Sequence, residues 1–256
     1  MFLKTYATEQ VLAIAFGTTP KTFCKWNWVV IDAIASLTSL VRAPTETGSL
    51  FLSSCVLFFW FCLLFCLRIH LSHKIFQQIN WEDRNIGWDG STIYRVTVDG
   101  TDCRIQEPQP FSPKWYSHKF CGPGVRYEIV VAVNTGVIVS VNGPYCCGSW
   151  PDLKIARQSL VHKLDEGEFA VADGGYRDGY VKFLTPTGIH DPENRAEAVF
   201  RARHETVNAR LKKWNILRAT FRHDVHKHGI VFRAIAHITQ LELKTTQPLF
   251  HVELNG

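Results

Sequence analysis

The chain has 256 residues, enough for one sizeable hydrophobic core and a small appendage. Charged residues make up 20% of it and hydrophobic residues 46%, a composition that excludes an intrinsically disordered protein. The formal net charge of +5 fits a polyanionic partner without requiring one.

The eight cysteines contain no Cys-x-x-Cys pair. Cys146 and Cys147 are adjacent, while Cys55, Cys62 and Cys66 lie in one apolar run, so no metal-ligand spacing is repeated. This pattern argues against a zinc module and against a disulfide framework. It therefore favours a reduced, intracellular protein.

Residues 1–43 form the first predicted segment, which is helical. Thr8 precedes an apolar pattern that ends at Phe16, and its side chain can cap a helix. The sequence Gly17-Thr-Thr-Pro interrupts this helix, and a second helix is predicted over residues 21–34. A helix, a glycine-containing turn and a helix that begins with lysines together outline a helix-turn-helix. An ordinary helical hairpin is the alternative.

Residues 44–74 form the second segment, and the part at 48–67 carries no charge. With its flanks, this apolar run is long enough to span a bilayer, which takes about 20 residues. Basic residues follow it and would favour the cytoplasmic side. The run is built mainly from Phe, Leu, Ser and Cys, whose codons are rich in pyrimidines. Our preferred hypothesis is therefore an intron end retained in the gene model, and a membrane helix is the alternative.

Residues 75–256 form the third segment, which we predict to be one α/β domain. Its elements follow the order strand, strand, strand, helix, strand, helix, and an amphipathic helix ends the domain. In that order the predicted bounds are 91–101, 127–134, 137–142, 152–164, 169–172, 194–214 and 228–243. A hairpin followed by a crossover indicates a mixed sheet.

Three carboxylates in this segment form a pattern. Asp99 and Asp173 each end a short apolar or β-branched run, and Glu205 lies on a stretch with helical period. Singly, each has an ordinary explanation, since Asp-Gly is a common turn pair and a helical glutamate often pairs with a basic neighbour. Together, they place three oxygen ligands at the carboxyl edge of a sheet, where α/β sheets usually carry their sites. Such clustered acids attract hard divalent cations and predict a nuclease-like site.

The sequence around these acids contains five motifs in a fixed order. They are Val98-Asp-Gly-Thr-Asp-Cys, Phe111-Ser-Pro-Lys-Trp-Tyr-Ser-His-Lys-Phe, Gly124-Val-Arg-Tyr-Glu, Ala172-Asp-Gly-Gly-Tyr and His204-Glu-Thr-Val-Asn-Ala-Arg-Leu-Lys. In order and spacing they resemble the DDE superfamily endonucleases of Harbinger-type transposases. The resemblance implies a ribonuclease H-like fold and a catalytic triad of Asp99, Asp173 and Glu205. Residues 8–37 resemble the helical DNA-binding region of such proteins, whereas the run at 44–74 departs from their pattern.

The resemblance also implies the chemistry, which is metal-dependent cleavage of DNA phosphodiester bonds, with strand transfer as a further step. Two Mg²⁺ or Mn²⁺ ions about 3.5–4 Å apart would lie between the three acids. Asp99 would bridge both ions, and Asp173 and Glu205 would each hold one. Carboxylates suit this role because Mg²⁺ prefers oxygen ligands.

Basic residues predict where DNA would bind. The stretch between residues 195 and 227 is rich in Arg and Lys and would hold phosphates, with a solvated helix face as the alternative. A basic-aromatic loop around Trp115 would contact unpaired or distorted DNA. The predicted DNA-contacting residues are Lys114, Lys119, Arg201, Arg210, Lys212 and Lys213.

Three polar residues near the acids have other interpretations. We predict that Asp102 is structural and that Asp152 caps a helix. Asn208 lies one turn beyond Glu205 on the same helix face, which makes it a candidate contact for substrate or metal-bound water.

The sequence leaves three classes of function open. The first is an active nuclease in the nucleus, with DNA as substrate, a separate DNA-binding helper protein and a homo-oligomer as further candidate partners. The second is a decayed or domesticated transposase that binds DNA without cutting it. The third is a membrane-anchored protein of other function, if residues 48–67 cross a bilayer.

Overall fold

The computed structural model describes residues 1–36, 79–110, 112–179, 181–186 and 193–250, with the side chains of 193–197 left out. The apolar run at 48–67 lies outside these ranges, and so do both interpretations of it. Within these ranges, no helix combines the length and the apolar character that crossing a bilayer requires.

The described residues contain a mixed sheet of six strands. The strands are β1 (Tyr94–Arg104), β2 (Tyr116–Ser117), β3 (Gly122–Ala132), β4 (Ile138–Cys146), β5 (Phe169–Val171) and β6 (Phe183–Leu184). The sheet order is β2-β3-β1-β5-β6, and β4 also pairs with β3. β3 is antiparallel to β1 and β4, whereas β5 is parallel to β1 and β6. The predicted ribonuclease H-like mixed sheet is confirmed, with β2 and β6 as short additions.

Helices cover both faces of this sheet. In chain order they are α1 (Phe2–Thr5), α2 (Glu9–Ala15), α3 (Pro20–Ala35), α4 (Asp152–Gln158), α5 (Glu193–Lys212), α6 (Asn215–Arg218) and α7 (His228–Thr245). Side chains alternate between the two faces along each strand. Val96 and Val98 of β1 therefore pack with Ala156 and Leu160, on the α4 side. The intervening residues of β1 face α5 and α7.

The central strand extends further than its sequence predicts. We expected a strand over 91–101, but β1 continues to Arg104 because every residue from Val96 to Arg104 pairs with β3. Asp99 lies opposite Ile129, in the middle of the strand. The expectation that Asp99 ends its strand is therefore wrong. Pairing with β3 outweighs the low strand propensity of Asp and Gly.

The N-terminal helices share the core of the α/β domain. Thr8 caps α2 as predicted, and Thr19 caps α3, which has Pro20 at its first position. Leu12 and Ile31 belong to the same buried cluster as Phe232 of α7. These helices are thus packed on the domain, and the helix-turn-helix function stays a prediction.

A second contact ties α1 to the segment before α7. The backbone N–H of Arg222 donates to the Tyr6 hydroxyl over 2.5 Å, and Arg222 Nη2 donates to the Tyr6 carbonyl over 2.7 Å. The Arg222 guanidinium also lies 4.0 Å from the centre of the Tyr6 ring. Such a cation–π contact adds to the hydrogen bonds and holds the helical segment in place.

Leu12→Ala should lower the free energy of unfolding by about 2–5 kcal/mol, because it removes a fully buried side chain from the shared core. Ile14→Ala is a matched control, since Ile14 lies on the same helix and is 81% exposed; its effect should stay within about 0.5 kcal/mol. Urea denaturation followed by circular dichroism measures both. If both substitutions changed the free energy of unfolding by the same small amount, the N-terminal helices would not contribute to the core.

Candidate active site

Asp99 is the half-buried centre of the site. Its side chain projects from β1 toward α5, where Oδ2 accepts a hydrogen bond from Asn208 Nδ2 over 2.8 Å. Oδ1 accepts the backbone N–H of Gly100 over 2.7 Å. The carboxylate is therefore held by one donor from the strand and one from the helix.

Asp173 lies close to the predicted strand end. β5 ends at Val171, and Asp173 begins a 3-10 helix over Gly174–Tyr176, with Oδ1 accepting the Gly175 N–H over 2.9 Å. Because β5 runs parallel to β1, Asp173 emerges beside the central strand. Its side chain is exposed.

Glu205 is exposed on α5, one turn before Asn208. Its two preceding neighbours anchor the helix. His204 Nδ1 lies 2.7 Å from Thr97 Oγ1 of β1, and Arg203 donates to the Val133 carbonyl. Burial lowers the pKa of His204 to about 3, so this anchor is a neutral imidazole. The anchoring keeps Glu205 and Asn208 over β1.

A cavity of about 340 Å³ lies between β1 and α5. Both acids and bases line it, among them Asp99, Asp102, Lys119, Glu205, Asn208 and Lys212. Asp173 is not one of the lining residues. The structure thus brings two of the three predicted catalytic acids to one cavity and leaves the third beside it.

Electrostatics link all three acids. The pKa of Asp99 is raised to about 6, mainly by burial; Lys119 and the Gly100 N–H oppose the rise, and the charges of Glu205 and Asp173 add to it. Glu205 and Asp173 are therefore near enough to Asp99 to influence its charge. In the described part of the chain, however, no three His, Cys, Asp or Glu side chains gather closely enough to form one metal-binding group.

The donor set nevertheless fits a hard divalent cation. It consists of carboxylate and amide oxygens, which Mg²⁺ and Mn²⁺ prefer. Asn208 Oδ1 is buried and, within the described residues, accepts no hydrogen bond. Asp99, Asp173 and Glu205 are the groups that would hold the metal.

Asp102 is structural, as its position in the sequence suggested. Arg126 Nε and Nη2 donate to its two oxygens over 2.7 and 3.0 Å, and Ser117 Oγ donates over 2.6 Å. Burial alone would raise the pKa of Asp102, but the hydrogen bonds from Arg126 and Ser117 hold it below its usual value. This network joins β1, β2 and β3 beneath the cavity.

Asp152 does not cap a helix, so that prediction is wrong. Pro151 occupies the N-cap position of α4, and no side chain makes a capping hydrogen bond there. Asp152 is the first residue of the helix, and its carboxylate lies against Gly100. A Cβ atom at position 100 would come within 1.9 Å of Asp152 Oδ1, so only glycine leaves room for this carboxylate.

Two of the six predicted DNA-contacting residues line the cavity. Lys119 Nζ donates to the Gly100 carbonyl over 2.8 Å, and Lys212 Nζ donates to the Asp102 carbonyl. The other four, which lie outside the cavity lining, are Lys114, Arg201, Arg210 and Lys213. Lys114 and Lys213 are exposed, and Arg210 donates to the Gln247 carbonyl.

Asp99→Asn should change how stability depends on pH. Because folding raises the pKa of this carboxyl from 3.8 to about 6, the folded protein favours the protonated acid. That stabilisation is complete below about pH 4 and is lost as the pH rises through about 6. The amide of the variant cannot ionise, so the variant should match the wild type at low pH and exceed it by up to about 3 kcal/mol above about pH 7.

Urea unfolding with EDTA present, measured across this pH range, tests the expectation. Parallel stability curves for the wild type and Asp99→Asn would contradict the raised pKa.

A family model described as DDE superfamily endonuclease matches residues 98–240, more than half of the chain. The match includes Asp99, Asp173 and Glu205 and excludes the N-terminal helices. The match shows membership of this superfamily, and the narrower assignment to Harbinger-type transposases stays a prediction. No curated protein and no solved structure matches the chain significantly.

Proposed function

The chain belongs to the DDE superfamily of endonucleases, and on this premise we propose that it is a divalent-metal-dependent DNA endonuclease with Asp99, Asp173 and Glu205 as its catalytic acids. The observation that supports this most directly is the position of Asp99. It is half-buried in the central strand, bonded to Asn208 and electrostatically coupled to both other acids. A buried carboxylate with like-charged neighbours is typical of a metal-binding active site.

When bound, Mg²⁺ or Mn²⁺ supplies activation of the attacking oxygen and stabilisation of the departing one. Asp99, Asp173 and Glu205 would hold the cations, and the resemblance implies two of them. Asn208 Nδ2 keeps Asp99 Oδ2 in place, and its buried Oδ1 is free to accept a hydrogen bond from a bound water or substrate group. Asn208 is in this way a positioning residue.

Lys119 and Lys212 give the cavity the positive charge that a DNA phosphate needs. Both lie at its wall beside the acids. A phosphodiester that enters next to Asp99 and Glu205 would be repelled by their charges, and the two ammonium groups offset that repulsion. DNA is therefore the proposed substrate, and hydrolysis is the proposed reaction.

The proposal also covers a second reaction, strand transfer, together with the location of the protein and its partners. The same site would transfer strands when a 3′-hydroxyl of DNA replaces water as the attacking group. A nuclear location is proposed because it would give the protein access to chromosomal DNA. A helper DNA-binding protein and a homo-oligomer are proposed from the resemblance alone.

Asp99→Asn, Asp173→Asn and Glu205→Gln should each lower Mg²⁺-dependent nicking of supercoiled plasmid to below about 1% of wild type. Loss of a direct ligand should exceed the roughly 10–100-fold cost of losing a supporting group. Glu166→Gln is the control, because Glu166 is exposed in the loop after α4 and should leave nicking unchanged.

Agarose gels with Mg²⁺, Mn²⁺ and EDTA measure the reaction. Full activity in any of the three acid variants would remove that residue from the site. Binding of DNA without nicking by the wild type would instead support the decayed or domesticated alternative.

Lys119→Ala and Lys212→Ala should weaken DNA binding to a similar extent for all sequences, because they contact phosphates. Each should also reduce the slope of log affinity against log salt by about 0.9 for each phosphate that the variant no longer neutralises. Fluorescence anisotropy in Ca²⁺ at several salt concentrations measures both quantities. Arg157→Ala, an exposed change on α4, is the control, and an equal loss in that variant would contradict the assigned groove.

A further inference from the structure

Asp152 is a carboxylate that the proposed mechanism does not yet use. From its position against Gly100, we propose that Asp152 is a fourth carboxylate of the metal centre, acting together with Asp173 from the α4 side of β1. The inference rests on the proposed function and adds a residue to that same site.

The first argument is the conformation of Asp152 at the start of α4. Its side chain makes no capping hydrogen bond and extends instead to the backbone of β1, next to Asp99. Gly100 provides the space, since a Cβ atom there would lie 1.9 Å from Oδ1 and 2.7 Å from Cγ of Asp152. The glycine that follows Asp99 therefore admits a second acid from the opposite face of the sheet.

The second argument is the incomplete pairing of the Asp152 carboxylate. Within the described residues, Oδ1 is buried and accepts no hydrogen bond. Oδ1 forms an ion pair with Arg126 Nε at 3.4 Å, but this contact is not a hydrogen bond. Arg126 is already committed, however, because it donates twice to Asp102 and once to the Trp150 carbonyl. A buried acceptor that receives no hydrogen bond is destabilising, so this oxygen can accept a further donor or bind a cation.

The third argument is Tyr176, which lies three residues after Asp173. Its side chain is 1% exposed, and its hydroxyl has no hydrogen-bond partner in the described part of the chain. Burial raises the pKa of Tyr176 well above 10, and the charges of Asp152, Glu128, Asp99 and Asp173 raise it further. A second polar group is therefore buried among the same carboxylates and lacks a partner.

Strand pairing brings Asp173 to the same place as Asp152: Val171 pairs with Thr97, so the chain that leaves β5 carries Asp173 beside Asp99 and Gly100, and Asp152 lies against Gly100. Burial raises the pKa of Asp152; Arg126 and Lys119 oppose this, and the charges of Asp102 and Asp173 add to it. Asp173 thus lies within electrostatic range of Asp99 on one side and of Asp152 on the other. A cation held by Asp173 would gain a second carboxylate from α4, and the Tyr176 hydroxyl is available to a water in its shell.

A purely structural role for Asp152 is the competing explanation. In that case Asp152 would only attach α4 to Arg126, and its loss would change stability without changing metal binding. The two roles therefore differ in a quantity that does not depend on catalysis, which is the affinity of the full chain for Mn²⁺.

Isothermal titration of the full chain with Mn²⁺ alone tests the proposal. Asp152→Asn keeps the side-chain volume and should weaken Mn²⁺ binding by more than the roughly 10-fold that marks the lower end for a supporting group, while Glu166→Gln should bind as the wild type does. Wild-type affinity in Asp152→Asn would overturn this inference and leave the three-acid site intact. Absence of Mn²⁺ binding by the wild type would overturn the proposed function instead.

Gly100→Ala is a second variant that removes no charge. The new methyl group must displace the Asp152 carboxylate, so the variant should weaken Mn²⁺ binding as Asp152→Asn does. In an Asp152→Ala background the space is vacant, and adding Gly100→Ala should weaken binding no further. Unchanged binding in Gly100→Ala, or additive effects in the double variant, would contradict the placement. This pair keeps the test decisive if Asp152→Asn fails to fold.

Discussion

The pairing of β1 with β3 is the constraint on which the site is built. The two strands stay in register from Val96 opposite Ala132 to Arg104 opposite Gly124, without a bulge. Asp99 is therefore fixed inside a sheet and cannot turn fully to solvent. A carboxylate in that position is disfavoured in its charged form unless donors or cations surround it.

Polar and charged groups on both faces of β1 stabilise the strand around Asp99. On the α5 side, Asn208 and the Gly100 N–H donate to the carboxylate, and Lys119 supplies positive charge. On the α4 side, the ion pair between Arg126 and Asp102 holds the same strands together with short, charge-assisted hydrogen bonds. The protein's stability therefore depends on the ionisation of Asp99, because burial of this carboxylate disfavours its charged form.

The N-terminal helices belong to the same physical unit. Leu12 and Ile31 share a buried cluster with α7, and Tyr6 is bonded to Arg222, shortly after α6. The face of the sheet that carries Asp99 is therefore covered by helices from both ends of the described chain. Any role of these helices in DNA binding would be exerted from a fixed position on the domain.

The sequence by itself determined the order of the main elements and the family, and it pointed to three candidate acids. Apolar strand runs, helical periodicity and Asp-Gly pairs are local signals. The elements that they predict also occur in the folded protein, because each signal depends on residues close together in the chain. Only the tertiary structure decided that Asp99 lies in mid-strand, that Asp152 lies against Gly100 and that Lys119 lines the cavity while Lys114 does not. Each of these facts depends on partners distant in sequence, such as Asp152 with Gly100, and a one-dimensional pattern carries no information about which distant residues meet.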